Sequence, residues 1–225
     1  MGTPRFEVGA AIENGWRLTR ANFWLMAQAA IIFLAVARVP QYVVRQLGGA
    51  SGIGFSVWIA SLVLQVGLVL GLTRLSLRLV DGQPATLALL LGEFSLFFRY
   101  LGASLLYGLV VLGGLLLFIV PGIMWAFRFC LYQYALVDRN LGIVASLKAS
   151  ASYTSGARWQ LLLLGILCGI LNALGFLFFG VGALVTLPVS FLAYATVYRI
   201  LSGGQPAPVA LLPVPPLPSV QPSGS

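Results

Sequence analysis

Six long apolar runs divide the chain, near 22–44, 53–73, 101–120, 122–137, 159–179 and 182–200. Each is close to the length that crosses a hydrocarbon layer of about 30 Å at about 1.5 Å per helical residue. The pattern predicts an all-α integral membrane protein with six transmembrane helices arranged as three hairpins. A shorter segment precedes each hairpin. In the first, Val8, Ile12 and Trp16 recur at spacing four against Glu13, Arg17 and Arg20. In the last, Ile143, Leu147 and Ala151 stand against Ser146, Lys148, Ser150 and Ser152. The middle one, residues 82–100, has Pro84 near a helix start and only Glu93 and Arg99 as charges. All three are expected as short amphipathic helices on the cytoplasmic surface, with Ile12, Trp16 and Leu147 as interfacial anchors.

The stretch LLLFIVPGIMWAFRFCLYQYALVD tests this division, because Arg128 is the only charge between Arg99 and Asp138. A single helix over that distance would be about 57 Å long, nearly twice the hydrocarbon thickness. Pro121 removes a backbone donor and Gly122 permits a sharp reversal, so the pair is expected to turn the second hairpin. Charge gives an independent check, since cytoplasmic loops carry the excess of Lys and Arg. With a turn at Pro121-Gly122, one side collects Arg5, Arg17, Arg20, Arg74, Arg78, Arg99, Arg139, Lys148, Arg158 and Arg199, and the other keeps Arg38 and Arg45. With a mere kink the asymmetry vanishes. Both termini are therefore expected in the cytoplasm and the Pro-Gly turn outside.

Composition agrees. The chain is 60% hydrophobic and only 8% charged, with a mean hydropathy of +0.99, against about 25% charged in a soluble domain. It has no histidine, two cysteines and five acids, little material for hydrolytic or metal chemistry. No enzyme activity, metal or cofactor is expected. Cys130 and Cys168 lie far apart in apolar surroundings and are expected as small core residues without a disulfide. The net charge of +8 is spread between apolar runs, which fits orientation in the membrane and anionic lipid rather than nucleic acid. Ala35-Val36-Ala37 imitates a signal cleavage site, but the preceding segment is long and carries Glu7 and Glu13, so the first run is expected as a retained helix. Residues 1–203 form the membrane domain. Residues 204–225, uncharged and dense in proline, are expected as a disordered cytoplasmic tail, with PVPPLP as an alternative partner motif.

The first and last preludes, AIENGWRLTRANFW and SLKASASYTSGARW, both place a threonine five residues before a tryptophan: Thr19 and Trp24, Thr154 and Trp159. A repeated unit of prelude plus hairpin follows. The succession of Asp81-Gly82-x-Pro84, Pro121-Gly122-Ile123, Arg128, Asp138-x-Asn140-x-Gly142, and then Thr154, Gly156 and Trp159 resembles a bacterial membrane-domain family. That family is found beside some glycerophosphodiester phosphodiesterases and in stand-alone membrane proteins of unknown function. The resemblance covers about residues 5–200 and implies a multi-pass protein of the bacterial cytoplasmic (inner) membrane. The resemblance is expected to mean a membrane domain and not phosphodiester hydrolysis, and Ala151-Ser152 stand where relatives show a Ser-Trp pair.

Among candidate chemical groups, Arg128 is the sharpest, because a guanidinium near mid-membrane costs about 2.5–3.5 kcal/mol on insertion scales. It either faces an anion or a lipid headgroup, with Arg38 at a similar level, or is pinned by structural hydrogen bonds. Asp138, Asn140 and Gly142 read as a cytoplasmic loop with a helix cap and turn. Gln28, Gln65, Gln133 and Asn172 suit hydrogen bonds between helices, and Gly67-x-x-x-Gly71 and Gly165-x-x-x-Gly169 suit close helix packing. Two functions stay open. One is a non-enzymatic membrane protein engaging lipid or a membrane partner, itself or another chain. The other is a small permease or channel subunit with an anion or headgroup recess at Arg128.

Overall fold

The computed structural model describes residues 6–46, 52–177 and 182–204. Helices form wherever the apolar runs are long, and among the described residues no strand occurs. Helix α1 (Val8–Ala21) leads through Asn22 into α2 (Phe23–Gln46), followed by α3 (Gly52–Val80). Two 3-10 turns, Leu87–Leu91 and Phe94–Leu96, precede α4 (Phe97–Leu117). Then come α5 (Ile119–Phe129), α6 (Tyr132–Arg139), α7 (Ile143–Tyr153), α8 (Arg158–Leu177) and α9 (Ala183–Leu201). Five of these, α2, α3, α4, α8 and α9, are long and apolar enough to cross a membrane. The chain is an all-helical, multi-pass membrane protein. The proline-rich tail, residues 205–225, lies outside the described residues.

The fourth expected span, 122–137, is two helices rather than one. Between α5 and α6 the chain makes a turn at Cys130-Leu131, and α7 takes up the backbone groups released there. Ser150 Oγ accepts from the Leu131 N–H at 3.2 Å and donates to the Arg128 carbonyl at 3.2 Å, while Thr154 Oγ1 donates to the same carbonyl at 2.8 Å. Away from water such groups need protein partners, and hydroxyls supply them.

The reversal before α5 falls at Phe118, whose backbone is extended, three residues ahead of the expected turn. Pro121 lies in the first turn of α5, where a missing N–H costs nothing. Gly122 serves close packing rather than a left-handed turn: its Cα lies 2.8 Å from where a Cβ on Gly114 would sit, so the two glycines let α4 and α5 approach closely. From there α5 and α6 run back beside α4. Tyr107 donates to the Ala126 carbonyl at 3.2 Å, the Ser104 and Tyr132 hydroxyls lie 2.8 Å apart, and Arg99 donates to Asn140 Oδ1 at 2.7 Å.

The preludes pack in sequence-shifted order. The 3-10 turns lie on α3, α7 lies on α6, and α1 lies on α9, so each prelude covers the returning segment of the unit before it and the first covers that of the last. Small residues make this fit. A Cβ on Gly71 would collide with the Leu90 backbone, and one on Gly15 would lie 2.7 Å from the Val189 carbonyl oxygen. Gly165 faces the Phe127 ring and the Tyr194 hydroxyl, whereas Gly169 has open space.

The expected anchors of the first prelude stay at least partly exposed, and that of the last does not. Helix α1 buries Val8, Ala11, Gly15, Leu18 and Thr19 against protein, leaving Ile12 half-buried and Trp16 45% exposed. On α7, Leu147 is buried in the core instead of anchoring the helix at a surface, and Ser146 and Ser150 are fully buried beside it. Of these two hydroxyls, Ser150 serves the broken backbone between α5 and α6, whereas Ser146 donates to the Ile143 carbonyl of its own helix.

Candidate functional site

The C-terminal ends of α3, α6 and α9 converge, and each brings an ionised side chain. Arg199 near the end of α9 donates from Nη2 to Asp81 Oδ2, just past α3, at 2.5 Å. It grips Asp138 of α6 with both terminal nitrogens, at 2.9 Å from Nη1 to Oδ2 and 2.8 Å from Nη2 to Oδ1. The fully buried Tyr198 adds a hydroxyl to Asp138 Oδ2 at 2.8 Å. All three charged side chains are less than a quarter exposed. Three helix C-termini in one place concentrate partial negative charge, which a guanidinium offsets, and the planar fork suits two carboxylates at once.

Further cations serve the same end. Arg74 pairs with Glu93 at 3.3 Å and donates to the Val137 carbonyl at 3.0 Å. Arg139 donates to the Ser202 carbonyl at 3.3 Å and lies over the Tyr153 ring, 5.3 Å from its centroid. Asn14 of α1 reaches Thr196 of α9 at 3.2 Å. The charged end is thus a clasp whose acids and bases already face one another.

The Asp138–Gly142 loop does not converge on a point. Asp138 belongs to the Arg199 clasp. Asn140 caps α6 in the left-handed conformation, φ 50°, a geometry that asparagine tolerates, and receives Arg99. Gly142 begins α7, its carbonyl accepting the Ser146 N–H at 2.9 Å. Arg38 and Arg128 rest on rings of different helices. Arg38 lies over the Phe176 ring at 5.8 Å, late in α8. Arg128 lies over the neighbouring Phe129 ring at 5.6 Å, with its Nε buried and unpaired.

Two cavities accompany these features. One of about 280 Å³ is lined by Tyr107, Cys130, Tyr132, Gln133 and Tyr194, between α4, α6 and α9. The other, about 400 Å³, lies between α5 and the start of α8, where Arg158 and Trp159 meet Met124, Phe127 and Leu162.

Residue-by-residue reading of the sequence missed the Arg199 clasp, although a signal was present. Leu79-Val80-Asp81 and Leu136-Val137-Asp138 repeat at the ends of two returning segments, and Arg199 occupies the last turn of the third.

Comparison with known proteins gives bacterial relatives. Over 170 residues, 71% of this chain, the sequence is 32% identical to an uncharacterised protein of Mycobacterium bovis and equally to one of Mycobacterium tuberculosis strain CDC 1551. A protein of Mycobacterium tuberculosis strain H37Rv, also uncharacterised, matches at 32% over 175 residues. The chain spans about half the length of these relatives, 49% of each. No family model matches the chain, and no solved structure matches it at a significant level.

Proposed function

We propose that this chain is a non-enzymatic domain of the bacterial cytoplasmic membrane that engages lipid, or a membrane partner, through its outer surface. It crosses six times as three hairpins, α5 and α6 together making the fourth crossing, with the charged end and both termini in the cytoplasm. The excess of arginine and lysine supports that orientation: Arg17, Arg20, Arg74, Arg78, Arg99, Arg139 and Lys148 against Arg38 and Arg45. The observation that carries the functional reading is the contrast between a charged end whose three carboxylates are all paired and a broad apolar exterior. Phe98, Leu105, Leu109, Leu116, Trp159 and Leu163 are all at least half exposed, far more continuous apolar surface than a soluble monomer presents. The resemblance to an appended membrane-domain family points the same way.

Native mass spectrometry after extraction in mild detergent tests the proposal. Retained phospholipid or a retained partner chain is expected. A protein that emerges bare, without lipid or partner, contradicts it. The second reading, a small permease, draws on the 280 Å³ cavity with Gln133 and three tyrosines at its wall; solute uptake into liposomes that Gln133→Leu abolishes would favour it instead.

A further inference from the structure

We infer that the groove between α5 and the start of α8 is a binding site for an anionic phospholipid, with Arg158 holding the phosphate and the apolar wall taking an acyl chain. The inference rests on the proposed lipid engagement and gives it a place and a headgroup charge. The groove is about 400 Å³ and its walls are Ile123, Met124 and Phe127 on one side and Trp159 and Leu162 on the other. It opens sideways onto the apolar exterior: Ile123 is 41% and Trp159 79% exposed, and beyond the groove α8 continues with exposed Leu163, Ile166 and Ile170. A chain lying along that exterior enters without crossing a polar barrier.

Three of the five acids are already paired, and the other two, Glu7 and Glu13, are exposed on or beside α1 without an ion pair among the described residues. Glu93 is taken by Arg74, and Asp81 and Asp138 by Arg199. Arg158 lines the groove with no hydrogen bond or ion pair among the described residues, and its Nε is buried without a partner. A half-buried cation whose Nε is cut off from water and has no partner suits an anion at the groove, and a guanidinium matches the paired oxygens of a phosphodiester. Here the phosphate and the apolar chain are required together, which favours a phospholipid over a free anion.

The site is also held from behind. Thr154 ties the end of α7 to the Arg128 carbonyl, the Ala157 N–H donates to the Thr154 carbonyl at 3.1 Å, and Gly156 supplies a φ of 90° that a side chain would resist. This short turn sets Arg158 beside α5. The corresponding passage before Trp24 runs through Asn22 as an almost unbroken helix, and the pocket on that half of the sequence repeat is a different one, in which Glu13 stands among the lining residues with Arg17 and Arg20.

Trp159 provides the readout. In full-length protein with Trp16, Trp24, Trp58 and Trp125 changed to Phe, quenching of Trp159 is measured in phosphatidylcholine bilayers containing brominated phosphatidylglycerol or brominated phosphatidylcholine. The expected result is a preference of about fivefold for phosphatidylglycerol, the scale of one arginine against anionic lipid. Arg158→Gln should abolish the preference with phosphatidylcholine quenching unchanged, and Arg158→Lys should keep most of it. A protein retaining only Trp24 should show a clearly smaller preference. Equal quenching by the two lipids, persistence of the preference in Arg158→Gln, or an equal preference at Trp24 would overturn the site while leaving general lipid engagement intact. If neither lipid quenches Trp159 more than water-exposed tryptophan, the broader reading fails as well.

Discussion

Helices α9 and α4 are both long enough to cross a bilayer, yet 56% of the apolar stretch of α9 is buried inside the protein, against 11% for α4. The more enclosed helix is the less apolar one. Its buried positions include Ser190, Ala193, Ala195 and Thr196, and it is packed by α1, α2, α3 and α8. The other turns Leu101, Leu105, Leu109 and Leu112 outward. Lipid tails are as apolar as leucine, so greasiness does not drive a helix inward; small residues and hydroxyls that allow close approach and interhelical bonds do. The inner position of α9 therefore ends in a charged clasp, and the outer position of α4 ends in nothing comparable.

The largest expected effect breaks the inner helix at its clasp. Arg199→Met leaves Asp81 and Asp138 facing each other with little exposure, and should cost about 3 kcal/mol of stability, the scale for breaking an enclosed ion pair. Replacing all three, Asp81→Asn, Asp138→Asn and Arg199→Met, should recover much of that loss. Denaturant titration in mixed micelles reads both; equal stability of Arg199→Met and wild type would remove the clasp from the account of the fold.

A smaller effect separates packed from open glycines. Gly71→Ala drives a methyl group into the Leu90 backbone and should cost about 1–3 kcal/mol as overpacking. Gly108→Ala on α4 meets nothing within 4 Å and should change stability by no more than about 0.5 kcal/mol. Comparable losses in the two variants would mean that α4 is enclosed like the inner helices. Smaller again, Ser150→Ala removes the hydroxyl that serves Leu131 and Arg128 and should cost about 1 kcal/mol, whereas Ser152→Ala, which loses only a local bond to Ala149, should be nearly silent.

The long helices were legible because length and apolarity are local properties. The run 22–44 became Phe23–Gln46, and 182–200 became Ala183–Leu201. The break at Cys130-Leu131 was not legible, because its cause is a pair of hydroxyls, on Ser150 and Thr154, that reach it from another helix. Nor was the buried face of α1, since Ala11 and Gly15 have too little apolar side chain to outrank Ile12 and Trp16 in a pattern of hydrophobicity. In the polar set, Arg128 stood out for its isolation. Arg199 was hidden at a helix end, where an arginine is ordinary until its two carboxylate partners are folded against it.

Opposite placement of the two ends of the bundle is tested most directly by cysteine labelling in a Cys130→Ala, Cys168→Ala background. Gln46→Cys, at the end of α2, and Ser152→Cys, on the exposed side of α7 near the charged end, are both accessible positions. With a membrane-impermeant maleimide on intact cells, Gln46→Cys should react at once and Ser152→Cys only after the membrane is opened. Reaction of both from the same side would contradict the proposed topology and, with it, the assignment of the Arg199 clasp to the cytoplasmic face.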